Sequence, residues 1–122
     1  MNIVMSIQEL EVLLGQHAAL FYHLHHQEAT ERLKRQTLRE DLARVLGAMG
    51  KAYAGIQTRC TCNMLSALSV RLATLRHEIA SSSAQLVDLI EQEDLAEDSY
   101  EDTLHQLEAL MNVGASTLEK RP

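Results

Sequence analysis

The sequence predicts an all-α protein, in the first instance an antiparallel four-helix bundle, with a long two-helix hairpin that self-associates as the alternative. Three observations point there. Apolar residues recur at alternating steps of four and three along most of the chain, the a/d pattern by which one helix faces another. Aromatic residues make up only 3% of a composition rich in Leu and Ala, which favours helix over sheet. The single proline is the terminal Pro122, so no proline punctuates the interior.

The first seam runs through Ile3, Ile7, Leu10, Leu14, His17, Phe21 and Leu24. The same register passes through Glu28, Glu31 and Arg35 before the apolar positions Leu38, Leu42, Val45, Met49, Ala52 and Ile56. Its spacing never slips, but its middle is polar. The frame is lost across Gln57–Asn63, and a second seam follows at Leu65, Leu68, Leu72, Leu75, Ile79, Ser82, Leu86 and Leu89. Beyond an acidic stretch, Tyr100, Leu104, Leu107, Met111, Gly114 and Leu118 read as its continuation.

Helices of ~50 residues are rare in compact domains, so each polar patch is expected to be a break. Thr37 with Glu40 reads as a capping box, and Asp94 with Glu97 as an acidic helix start. The expectation is therefore four helices over 6–33, 37–58, 63–92 and 95–116, in one domain covering 1–122. Ser82 with Gln85 reads either as a further capping box or as part of a small-residue patch where helices approach closely. Gly47 and Gly50, beside Ala48, Ala52 and Ala54, predict a thin helix face against a close neighbour.

Composition narrows the function. Hydrophobic residues at 46% and charged residues at 23% are a globular balance rather than a disordered one. The net charge of −6 lacks the basic footprint that phosphate neutralisation requires, so direct nucleic-acid binding is not expected. No segment approaches the ~20 apolar residues of a membrane span, and the start has no basic segment followed by an apolar one. Two cysteines one residue apart are no disulfide framework. The expectation is a cytoplasmic protein with reduced thiols and no cofactor.

The stretch Phe21–Glu28, FYHLHHQE, holds three histidines and a carboxylate. On a helical wheel it splays: His17 and Glu28 fall in the seam, His25 at its edge, and His23 and His26 point away. No H-E-x-x-H pattern occurs, and Asp102-x-x-His105 faces away from the seam, which argues against di-iron chemistry. The candidate metal ligands are His17, His25, Glu28 and the C-x-C pair Cys60 and Cys62, where a soft metal would need further ligands from a second chain. His17 and Glu28 also stand out as polar seam positions of the kind that specify register or partner.

Two charged stretches oppose each other in sign. Glu91–Asp102 carries seven acids and no base, while Arg32, Lys34, Arg35 and Arg39 cluster in the other half of the chain. They are expected either to pair or to be solvated. Leu13, Leu20, Leu46 and Tyr53 flank the seam and widen the apolar face, either as core or as a surface for a second chain.

No activated nucleophile, phosphate-binding glycine loop or cofactor fingerprint occurs. In general form the chain resembles small helical adaptors and secretion-type chaperones. The leading expectation is a non-enzymatic, self-associating interaction protein, a homodimer, acting as chaperone, adaptor or inhibitory regulator. Its partner would be another, basic protein, met through Leu13, Leu20, Leu46, Tyr53 and the acids Glu93, Asp94, Glu97 and Asp98. Two alternatives are a metal-binding bundle and an acidic decoy of a nucleic-acid-binding surface.

Overall fold

The computed structural model describes residues 5–119, with side chains through residue 112. It contains two helices, α1 (Ile7–Ala54, 48 residues) and α2 (Arg59–Glu119, 61 residues), joined by residues 55–58. The architecture is a two-helix hairpin, and the expected four-helix bundle is corrected: neither polar patch breaks its helix. Ile3 of the first seam lies outside the described residues. Gly114 and Leu118 fall within α2 beyond the described side chains.

The helix starts are fixed by side chains. At α1, Ser6 and Glu9 form a reciprocal capping box: the Glu9 amide donates to Ser6 Oγ at 3.1 Å, and the Ser6 amide to Glu9 Oε2 at 3.2 Å. At α2, Thr58 and Thr61 repeat the motif. The Thr61 amide donates to Thr58 Oγ1 at 3.2 Å, and the Thr58 amide reaches Thr61 Oγ1 at 3.4 Å. The end of α1 is closed by the Gln57 amide group, which donates to the carbonyls of Ala52 at 3.1 Å and Tyr53 at 3.4 Å. No described residue takes a positive φ, so side chains rather than a left-handed cap close the turn.

Both expected breaks fail for the same reason. With no Gly or Pro at either place, the local cap signals have only side-chain hydrogen bonds to offer, and the helix satisfies those internally. Thr37 Oγ1 donates to the Leu33 carbonyl one turn back, at 3.1 Å. Asp94 lies exposed in mid-helix. The polar seam of α1 is bridged by pairs along the helix. Arg32 donates to Glu28 Oε1 through Nε at 2.9 Å and Nη2 at 2.6 Å, and Lys34 lies 4.0 Å from Glu31.

Every first-seam position from Leu10 to Ala52 is buried or half-buried, polar ones included. The second seam also continues without a slip, but not as expected. It runs from Leu89 through Glu93, Ala96, Tyr100, Thr103, Leu107 and Leu110, all buried or half-buried. Leu104 is only a half-buried flank, and Met111 is 55% exposed, which corrects the register placed on them.

By packing, the chain divides into two compact units. One combines Met1–Gln27 with Leu89–Pro122, and is called here the terminal unit; the other, Glu28–Asp88, is the turn unit. Both pair the helices antiparallel. In the terminal unit Leu24, Leu89 and Ala96 form a buried cluster with Phe21 packed against it. In the turn unit Leu75 and Ser82 are almost wholly enclosed, and Asp41 lies 3.1 Å from Arg44 and 3.9 Å from Arg71 of α2.

The glycines do not form the expected thin face. A Cβ added at Gly47 or Gly50 would meet nothing within 4 Å, since both lie on the outer side of α1. Ala52 is the small residue that the seam buries.

Candidate functional site

The terminal unit concentrates charge of one sign. Its residues 5–27 and 89–112 carry ten carboxylates and no Lys or Arg. All the Lys and Arg of the described chain therefore belong to the turn unit. Glu93 departs from its acidic neighbours. It occupies a seam position and is buried, so its expected role in an exposed acidic surface is corrected. Its carboxylate lies 3.4 Å from His25 Nδ1. Asp94, Glu97 and Asp98 are exposed as expected, and none forms an ion pair among the described residues.

The histidine stretch spreads as the wheel predicts. His23 and His26 are exposed, and His23 pairs with Gln27 at 3.1 Å, four residues on. His25 sits at the seam edge, its ring parallel to Phe21 with centroids 6.1 Å apart. His17 is half-buried in the seam. It lies eight residues from His25, about 12 Å along the helix, so the two do not share a ligand point. Glu28 is buried and takes Arg32 as described above.

Cys60 and Cys62 are both exposed in the first turn of α2. Residues two apart on a helix project about 200° apart, so the pair cannot close on one ion within a chain. Asp102 and His105 are exposed, away from the seam as expected.

The flanking apolar residues divide by heptad row. Leu13 and Leu20 lie on the flank of α1 beside its d positions Leu10, His17 and Leu24, whereas Leu46 and Tyr53 lie on the opposite flank, beside the a positions Leu42 and Met49. Leu20, Leu46 and Tyr53 are 49%, 45% and 65% exposed, and Leu13 is half-buried. The two halves of the apolar surface thus belong to different rows and different units.

Two open grooves run beside the terminal seam. One, of about 300 Å³, is lined by His17, Leu20, Leu24, Gln92, Leu95 and Ala96 among others. The other, of about 350 Å³ on the opposite flank, is formed by Ala18, Phe21, Tyr22, Glu97 and Tyr100. Sequence reasoning missed the second groove. Its signal was available in the heptad frame, which places Phe21 and Tyr100 at seam positions with Tyr22, Ala18 and Glu97 on one shared flank.

No family model, curated protein or solved structure matches the chain. Among the described residues, no helix is long and apolar enough to cross a membrane.

Proposed function

We propose that the protein is a non-enzymatic interaction module, an acidic helical hairpin that completes its core by packing against helices of another chain, a second copy included. One observation carries this reading. Among the described residues thirteen large hydrophobic side chains are exposed, against eight apolar residues that are fully buried, so the hairpin encloses few of its apolar side chains completely and leaves many open. Exposed apolar residues scattered singly need no explanation, but Leu46 and Tyr53 follow each other in one row beside the seam, and Leu20 and Leu95 share one groove.

The apolar groove beside Leu20 and Leu95 has the form that receives an added helix, with leucines on both walls and Ala96 allowing close approach. Its lining holds neither a Lys nor an Arg and no carboxylate, so docking there desolvates no strong charge. This supports self-association and the adaptor or chaperone role anticipated from the heptads.

Light scattering with chemical cross-linking tests it. The wild-type protein is expected at a multiple of its 13.7 kDa chain mass. The double variant Leu20→Glu, Leu95→Glu is expected at a lower multiple with unchanged helix content. A wild-type protein that stays monomeric at high micromolar concentration and retains no helical partner would refute the reading.

A further inference from the structure

Three of the four aromatic residues of this chain, Phe21, Tyr22 and Tyr100, line one groove together with Glu97. The groove is about 350 Å³, at the small end of the range for ligand sites and suited to a single side chain rather than a cofactor. Tyr22 is 75% exposed, while Phe21 and Tyr100 are half-buried seam residues that also line the groove. Glu97 is exposed and makes no ion pair among the described residues. Asp94, three residues before it, and Glu101, four residues after, extend the negative charge along the same side of α2.

Aromatic faces carry negative quadrupole charge, and a carboxylate at their rim adds full charge to it. Such a set favours a cation, and among side chains it favours arginine. The planar guanidinium stacks on a ring while donating hydrogen bonds to the carboxylate. The surrounding field has the same sense, because residues 5–27 and 89–112 of the terminal unit carry ten carboxylates and neither Lys nor Arg. We infer that this groove is a docking site for an arginine side chain presented by a basic segment of a partner protein, with Tyr22 and Tyr100 stacking on it and Glu97 holding its charge. The inference rests on the interaction-module reading and names that partner's chemistry. It uses a different flank of the seam from the Leu20–Leu95 groove.

The test uses the full chain and a fluorescein-labelled amphipathic peptide of Arg, Ala and Leu, with a control peptide in which citrulline replaces each Arg. Anisotropy at physiological salt gives the affinities, and aromatic NMR shifts show whether Phe21, Tyr22 and Tyr100 respond. The Arg peptide is expected to bind and to move these rings, and citrulline to weaken binding. Tyr22→Ala, Tyr100→Leu and Glu97→Gln are each expected to weaken it roughly 2- to 30-fold, the span of a cation–π or single charge contact. Asp102→Asn, on the opposite side of α2, is expected to change it less than about 2-fold.

Because Tyr22 is so exposed, its variant tests the site even if Tyr100→Leu perturbs the seam. Equal binding by wild type and Tyr22→Ala would overturn the proposal, since a diffuse negative field would then account for all affinity. Equal losses from Asp102→Asn and Glu97→Gln, equal binding of the citrulline peptide, or no binding at all would overturn it too. If light scattering still finds self-association through Leu20 and Leu95, only the arginine site falls, not the interaction-module reading.

Discussion

Replacing Ser82 by alanine should stabilise the protein. Ser82 occupies a seam position of α2 in the turn unit and is only 2% exposed, yet its Oγ has no hydrogen-bond partner. Other helical hydroxyls avoid this by bonding one turn back. Thr74 Oγ1 donates to the Val70 carbonyl at 3.1 Å, and the buried Thr103 Oγ1 to the Ser99 carbonyl at 2.8 Å. An unsatisfied buried hydroxyl costs about 1–3 kcal/mol. Alanine also has the better helix propensity, by up to ~0.5 kcal/mol. The lost packing of one oxygen offsets part of this, leaving an expected net gain of about 1–2 kcal/mol. For a chain of this size each kcal/mol moves the melting temperature by roughly 3–6 °C. Urea unfolding at fixed protein concentration measures the gain, and Ser81→Ala supplies the control. Ser81 is exposed, so its replacement reports the propensity contribution alone. If Ser82→Ala gains no more than Ser81→Ala, the hydroxyl is satisfied in solution and the reasoning is wrong.

Other substitutions probe the remaining parts of the frame. Gly47→Ala and Gly50→Ala should each add about 0.5–1 kcal/mol, additively, because an added methyl meets nothing within 4 Å at either place; a loss in thermal unfolding would reveal a partner on that face. Leu75→Ala should cost about 2–5 kcal/mol, since Leu75 is fully enclosed. Leu33→Ala, 65% exposed, should stay within about 0.5 kcal/mol in the same assay. Thr58→Ala removes the hydroxyl that caps α2 and should cost about 1 kcal/mol, with faster amide exchange confined to the first turn of α2.

The helical class and the first seam from Leu10 to Ala52 are legible in the sequence, because a 3–4 spacing that never slips leaves one helix face to bury; the expected end positions Ile7 and Ile56 are instead 44% and 87% exposed. The break between helices was misjudged for the same reason that the seam was read correctly. Glu28, Glu31 and Arg35 hold the register, so the chain has no geometric cause to turn there, and a length prior outweighed that continuity. In α2 the hydrophobicity of Leu104 and Met111 points to a register one residue away from the one that is buried. The uninterrupted frame from Leu89 instead selects Thr103 and Leu110, and it turns Glu93 inward from a run of exposed acids. The turn lies at residues 55–58, earlier than the expected 59–62, because Thr58 and Thr61 cap each other and start α2 at Arg59. The heptad frame assigns each half of the aromatic groove to its flank, but which stretch of α2 lies opposite Phe21 and Tyr22 depends on how the two helices pair, and periodicity along one helix does not supply that.

The polar seam positions bear on function through their cost. Glu28, Ser82, Glu93 and Thr103 are all buried at places where Leu would add apolar burial worth about 1.5–3 kcal/mol each. A hairpin already short of enclosed apolar side chains gives up stability at each of them. A polar group at such a position favours the alignment in which it meets a partner on the other helix, as Glu93 does with His25, and so narrows the registers available to two long seams; Glu28 takes Arg32 within its own helix and leaves the register untouched. The exposed leucines have the opposite character: Leu20 and Leu95 are free of any such constraint and sit in a groove without charge. Stability given up for alignment within the chain, beside apolar flanks left open, fits the proposed reading in which the hairpin holds a fixed register and offers that surface to a second partner. Association should therefore raise its stability with concentration, as the proposed role as an interaction module requires.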